Sequence, residues 1–305
     1  MKQDLQALPK LRDSISYVYL EHAIIEQEDS SIVAIRSDGC IPIPVSSVTC
    51  LMLGPGTKVT HAAIKAAAEN GCMIIWCGED SLQFYASGTG ATRSSENLLK
   101  QAILCANSET RLTVAKKMYL RRFGNISNPN YTLQQLRGME GIRVREAYKL
   151  ASRVSGVPWS ARKYKQTDWN DQDPINMALS QANALLYGVC QAAIVSLGYS
   201  PGLGFIHTGK QLSFVYDIAD LYKAEITIPA AFNAVKNAGD NLGAAVRKNC
   251  RQSFQQRQLL KRIPEDIEWI LAISESEQRE SMPVGNIWDP EGEIPGGINH
   301  SGDDE

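Results

Sequence analysis

Asp217 and Asp220 stand three residues apart in Q-L-S-F-V-Y-D-I-A-D-L-Y-K (211–223), a stretch whose other positions are mostly apolar. On a helix that spacing puts two carboxylates on one face, where like charges repel unless a cation relieves them. His207 lies shortly before them and supplies a nitrogen donor, so the three make a candidate mixed-ligand metal site. Glu140, in Q-L-R-G-M-E-G-I-R-V-R-E-A-Y (135–148), admits two readings. It is either a helix salt bridge to Arg137 or Arg143, or a third hard ligand brought in from a separate helix.

Two neighbouring patterns match known motifs only on paper. G-F-I-H-T-G-K-Q (204–211) approaches the phosphate loop G-x-x-x-x-G-K-[ST], but Gln211 replaces the hydroxyl and G-Y-S-P-G-L cannot be the buried strand before it. Lys210 remains a cation near a helix N-terminus, a place that attracts phosphate. G-Y-S-P-G (198–202) fits the nucleophile elbow G-x-S-x-G. A helical pattern precedes Ser200, however, and His207 comes before the acids, so the context and order of that triad are absent.

The elements that must position these residues change character along the chain. Segments 15–21, 31–37, 43–53, 72–77 and 83–87 are rich in Val, Ile and aromatics and read as strands. One helix, H-A-A-I-K-A-A-A-E-N, interrupts them, with Thr60 as its N-cap and Gly71 just beyond its end. From residue 96 apolar residues recur at helical spacing, near 96–123, 132–155, 174–197, 211–223, 228–238, 242–262 and 264–273. The expectation is an α+β protein in three parts. A small β-rich domain with one helix covers 1–92, a larger all-helical catalytic domain 93–280, and a flexible acidic tail 281–305.

Charge is distributed unevenly. Residues 93–165 hold 15 Lys/Arg against 4 Asp/Glu, whereas 264–305 hold 1 against 12. The first is a candidate polyanion-binding face. Lys116, Lys117, Arg121 and Arg122 are its expected non-specific contacts to such a polyanion, joined by Lys58 and Lys65 from the N-terminal part. The acidic tail is either a solubilising end or a docking segment that uses Val284, Ile287, Trp288 and Ile294. Seven cysteines without a C-x-x-C pair fit free thiols in a reducing cytosol rather than a zinc site. No apolar run approaches the ~20 residues of a membrane span, and the N-terminus lacks the pattern of a signal peptide. The expected location is the cytoplasm.

Several separated motifs carry a family resemblance. N-A-L-L-Y (183–187), G-Y-S-P-G-L-G-F-I-H (198–207) and L-S-F-V-Y-D-I-A-D (212–220) strongly resemble the CRISPR-associated spacer integrases, and Q-L-R-G-M-E-G-I-R-V-R-E-A-Y resembles their glutamate motif. G-P-G-T-K-V-T-H-A-A (54–63) resembles the turn and helix of their N-terminal β domain, and the overall likeness is to the I-E subtype.

The resemblance implies Glu140, His207 and Asp220 as ligands of Mg²⁺ or Mn²⁺, with Asp217 as the supporting acid of the catalytic set. It also implies DNA contacts from Arg137, Tyr164, Trp169, Tyr187 and Lys210. His22 falls where relatives can present an aromatic to a DNA end. The implied partners are spacer-precursor and repeat duplex DNA, a second copy of the chain, and a small ferredoxin-like protein in a heterohexamer. The implied activity is insertion of short duplexes into a CRISPR array by 3′-OH attack on a phosphodiester. The alternatives are a metal-dependent nuclease acting on branched or single-stranded DNA, and a non-catalytic DNA-binding scaffold.

Overall fold

The computed structural model describes residues 17–28, 31–46, 48, 50–78, 84–88, 95–123, 131–162, 173–239 and 241–272, together with 287–289 and 292–294. Two four-stranded sheets build the N-terminal part. In the first, β1 (Tyr17–Leu20), β5 (Cys50–Leu53) and β7 (Met73–Cys77) run parallel, and β8 (Phe84–Gly88) closes the edge antiparallel to β7. The second has the order β4 (Gly39–Ile43), β3 (Ser31–Arg36), β2 (Ile24–Glu28), β6 (Lys58–Val59). Helix α1 (His61–Glu69) packs with both, capped by Thr60, whose hydroxyl accepts from the Ala63 N–H at 3.3 Å.

All four residues of β5 are buried, because both faces of the first sheet are covered. Leu51 and Leu53 enter the core shared with the second sheet and α1, while Cys50 and Met52 join Met73 and Ile75 on the opposite face. That opposite face meets Ala192 and Val195 of α5 (Pro174–Ser196) and so ties the β part to the helices.

Among the described residues eight α-helices follow: α2 (Glu96–Ala106), α3 (Ser108–Phe123), α4 (Leu133–Ser155), α5, α6 (Ser213–Ala219), α7 (Ile228–Asn237), α8 (Leu242–Gln256) and α9 (Leu259–Leu271). Their signals are local. Thr132 and Gln135 form a capping box for α4, and Gly156, in the left-handed region (φ 78°), ends it. Asp173 caps α5 with Pro174 at its first turn.

Helix α5 is the axis of the helical part. Its Leu186, Cys190 and Ile194 pack in one cluster with residues of α3, α6 and α9, and its Leu179 and Ala182 in another with α7 and α8. Each fully buried Leu or Ile contributes about 1.5–3 kcal/mol. By length and composition α5 could cross a membrane, contrary to the sequence expectation, but 61% of its apolar window is buried within the protein.

Three sequence expectations shift. The segment 96–123 is two helices, because the Asn107 carboxamide accepts from the Glu109 and Thr110 N–H groups and starts α3 afresh. The break expected between the segments 242–262 and 264–273 falls at Gln258 (φ 48°) instead, since the turn lets α9 bury Leu259, Ile263, Ile267 and Ile270. The expected helix 211–223 is regular only over α6; a π-helical turn, Lys223–Thr227, follows and leads into α7. In the tail, β9 (Ile287–Asp289) and β10 (Gly292–Ile294) pair antiparallel. Leu186→Ala should cost about 2–5 kcal/mol of unfolding free energy by chemical denaturation, as expected for a cavity in a packed core.

Candidate active site

Asp217 organises the segment 198–212. Gly198 (φ 80°) lies just beyond the end of α5, and the chain returns to α6 through a loop that crosses it closely. At Gly204 a Cβ would lie 2.4 Å from the His207 carbonyl oxygen and 2.8 Å from Ser213 Cβ, so only glycine fits. Asp217, on α6 and wholly buried, accepts from the Phe205 and Ile206 N–H groups through Oδ2 at 2.6 and 3.0 Å. Its Oδ1 accepts from the His207 N–H at 2.9 Å and faces His207 Nδ1 at 2.7 Å. From the other side Gln101 of α2 donates to the Ser200 and Leu203 carbonyls, and Arg111 of α3 donates to that of Phe205.

An ionised carboxylate has about four acceptor positions, and those of Asp217 are all engaged. It therefore holds the loop and orients His207, and the reading of Asp217 and Asp220 as a ligand pair on one helical face gives way to a division of labour. The three amide donors mark Asp217 as the acceptor, so His207 Nδ1–H donates to it and Nε2 is the nitrogen left for a ligand. That hydrogen bond raises the His207 pKa above its ordinary value, against the opposing effect of burial, and Asp220 adds to the rise.

The second half of the site is a set of charges from three helices and the π-helical turn. Arg122 of α3 has a side chain only 3% exposed; its Nη1 lies 3.7 Å from Glu140 Oε1 and its Nη2 3.7 Å from Asp220 Oδ2. Nη2 also donates to the Asp217 carbonyl at 3.4 Å. Arg143, one turn along α4, is 3.9 Å from Glu140 Oε2. Asp220 Oδ1 receives Lys223 Nζ at 2.6 Å, and that ammonium also lies over the Tyr187 ring.

Burial lifts the Glu140 pKa; Arg122 and Arg143 oppose this and Asp220 adds to it. Burial alone would lower the Lys223 pKa, but Asp220 and Tyr187 more than offset this and hold it above its usual value. A row of rings borders the cluster: Tyr187 and Tyr216 meet edge-on at 5.0 Å, and Tyr216 and His207 at 5.9 Å between centroids. The π-helical turn is held by Glu225, which takes a paired contact from Arg262 at 3.3 Å and one from Arg257, and by Thr227 donating to Asn183. Such turns insert a residue into a helix and are frequent at functional sites.

The structure thus brings Glu140, His207, Asp217 and Asp220 into one charged cluster. Among the described residues no three His, Cys, Asp or Glu side chains are grouped closely enough to hold an ion as they stand. Arg122 and Lys223 sit on the carboxylates between them. The donor set still suits a divalent ion: two carboxylates and an imidazole nitrogen, with Glu140 Oε2 buried and lacking any hydrogen-bond partner.

The expected DNA contacts are scattered. Arg137, Lys210 and Lys58 are exposed, and Lys65 is exposed beside Glu69 at 3.7 Å. Tyr187 is half-buried in the site, and Tyr164 and Trp169 lie outside the described residues. His22 is exposed with φ 51° and folds back over Gly56.

Of the α3 cations, Arg122 needs correction as a surface contact, and Arg121 and Lys117 already have partners within the protein. Arg122 is buried in the site, Arg121 pairs with the buried Asp266 of α9, and Lys117 donates to the Ala272 carbonyl and lies 4.8 Å from the Trp269 ring centroid. Sequence reasoning missed Arg122, Lys223 and Gln101 as parts of the site. Arg122 carried a usable signal, for it continues the i, i+4, i+8 stripe of Val114 and Met118, both fully buried.

Fold and site together define an α+β protein whose helical part carries a carboxylate–imidazole centre balanced by buried Arg122 and partly exposed Arg143 and Lys223. The chain belongs to the CRISPR associated protein Cas1 family, whose match covers residues 16–135 and 126–243. It is similar to the CRISPR-associated endonuclease Cas1 2 of Thermus thermophilus, 46% identical over 308 residues and covering 99% of this chain and 95% of the relative. The CRISPR-associated endonuclease Cas1 of Escherichia coli K12 is 42% identical over 266 residues, 87% of each. A crystal structure of a TtCas1–DNA complex matches with a TM-score of 0.78 at 47% identity, covering 87% of this chain and 99% of that one. The family resemblance carried by the sequence motifs is borne out.

Replacing Asp217 by Ala leaves three backbone N–H groups without their acceptor, that of Phe205 buried and those of Ile206 and His207 partly buried, at about 1–3 kcal/mol each. Unfolding free energy should fall by about 3–5 kcal/mol in urea titration, with a smaller loss for Asp217→Asn, which keeps an acceptor oxygen.

Proposed function

We propose that the protein is a metal-dependent DNA strand-transfer enzyme that inserts short duplexes into a CRISPR array. The observation that carries this reading is the convergence of Glu140 from α4, Asp220 after α6 and the Asp217-oriented His207 within one charge-coupled cluster. Membership of the Cas1 family and similarity to a DNA-bound member support DNA as the substrate. Glu140, Asp220 and His207 Nε2 would hold Mg²⁺ or Mn²⁺, which would supply Lewis-acid stabilisation of charge at a phosphodiester.

The chain's own residues do the rest. Asp217 fixes the tautomer and orientation of His207. Arg122 offsets the repulsion between Glu140 and Asp220. Exposed Arg137 and Lys210, near the site in sequence, would take DNA phosphates and help align the attacking 3′-OH with the scissile bond.

Assembly as a homodimer with a small ferredoxin-like partner belongs to the same reading. Exposed Leu98, Leu99 and Ile103 on α2 supply apolar surface for such contacts. The names of the curated relatives favour a second reading, in which water replaces the 3′-OH and the reaction is cleavage.

A strand-transfer assay separates the readings. It uses supercoiled CRISPR plasmid, a short 3′-OH duplex, the small partner and Mn²⁺. Wild type should join the DNAs, and Glu140→Ala or a chelator should abolish joining while DNA binding persists. Joining at a near-wild-type rate in Glu140→Ala would overturn the assignment; cleavage without joining would favour the nuclease. DNA affinity should also fall with salt, log K dropping by roughly 0.9 per phosphate contacted for each tenfold rise. A flat salt response would remove DNA from the account.

A further inference from the structure

Two carboxylates, Glu140 and Asp220, are held among three cations: Arg122 faces both, Arg143 faces Glu140 and Lys223 faces Asp220. Both oxygens of Asp220 face cations, Oδ1 towards Lys223 at 2.6 Å and Oδ2 towards Arg122 at 3.7 Å. A divalent ion entering a cluster whose carboxylates already face cations gains much less than one entering a pair of bare carboxylates.

The two cations are not equally fixed. Arg122 is buried in the core helix α3 and bonded to the Asp217 carbonyl. Lys223 is 26% exposed, sits on the π-helical turn, and is a compact charge on a flexible stem, steadied by Asp220 and by the ring and hydroxyl of Tyr187. Of the two, Lys223 is the one that can leave without opening the core.

Building on the metal-dependent reading above, we propose that Lys223 is a place-holding cation. In the DNA-free protein it neutralises Asp220, and it moves onto a DNA phosphate when a divalent ion takes the carboxylate. Ion and DNA then bind cooperatively. No bond is made or broken; Lys223 exchanges one anion for another, and the ion replaces its charge at Asp220. By linkage, DNA strengthens ion binding by the same factor as the ion strengthens DNA binding. The DNA-free protein keeps its carboxylates charge-balanced, and a fully loaded site forms where substrate is present.

The test is calorimetric Mn²⁺ binding to the full chain, with and without a short DNA duplex, for wild type, Lys223→Met, Tyr187→Phe and Glu140→Ala. Without DNA, Lys223→Met should bind Mn²⁺ about tenfold more tightly than wild type. Tyr187→Phe, which removes the hydroxyl that steadies Lys223, should shift in the same direction by about threefold. DNA should tighten Mn²⁺ binding strongly in wild type and far less in Lys223→Met.

Equal Mn²⁺ affinity in wild type and Lys223→Met would overturn the proposal, as would equal tightening by DNA. If Lys223→Met does not melt cooperatively, Tyr187→Phe decides alone, and an unchanged affinity there is equally fatal. Weakened binding in Glu140→Ala with no effect at Lys223 would remove the place-holder and leave the metal site standing. Mn²⁺ binding equal in wild type and Glu140→Ala, with or without DNA, would remove the metal site and this inference together.

Discussion

The carboxylate of Asp217 is the contact on which the site depends. It takes three consecutive backbone N–H groups and one imidazole nitrogen, so a single buried side chain fixes both the path of residues 205–207 and the direction of the His207 ring. Burial makes this tight, because a carboxylate out of water is stable only when its acceptor positions are filled. The glycine at 204 is the steric counterpart, since the crossing chain leaves no room for a Cβ. His207 remains an exposed residue on a loop, and the clasp is what aims its imidazole with a defined tautomer.

Around this fixed point the protein balances charge by drawing on distant segments. The carboxylate of Glu140 comes from α4, that of Asp220 from the end of α6, and the guanidinium between them from α3. Helix α3 faces two ways with adjacent residues. Arg122 turns into the site, whereas Arg121 pairs with Asp266 of α9, which also accepts from the Tyr222 hydroxyl at 2.6 Å. The same helix thus joins the site to the outer wall of the helical part, and α5 joins both to the sheet. Buried ion pairs of this kind seldom add much net stability, because desolvation offsets their attraction. Their value here is geometric: they hold two like-charged carboxylates close together.

The elements with strong local signals were legible in the sequence. Thr60 as a cap and Gly71 beyond a helix end were read from it; Asp173, the Thr132–Gln135 capping box, Gly156 and Gly198, which that reading did not name as such, likewise act through neighbours a few residues away. The apolar run Cys50–Leu53 was legible as a strand, although nothing in it said that α5 would cover its second face. Misplaced boundaries lay where distant packing decides. Pro264 did not break α9, because that helix buries Ile263, Ile267 and Ile270 against the core. The π-helical turn at 223–227 was not legible, since the register of one inserted residue depends on what Glu225 and Thr227 meet from other helices.

The sequence by itself determined which residue types were available for chemistry and where the chain changes from strands to helices. Both are functions of composition and short-range spacing. It named Glu140, His207, Asp217 and Asp220, and the motifs around them placed the chain in its family. Only the tertiary structure decided what each of them does. Asp217 and Asp220 look interchangeable at i and i+3, yet one is enclosed by backbone amides while the other faces two cations. Arg121 and Arg122 look like one basic patch, yet one meets Asp266 and the other fills the centre of the site. The reason is physical: hydrogen bonds and charge pairs act over a few ångströms, and which groups come that close depends on how helices far apart in sequence pack against α5.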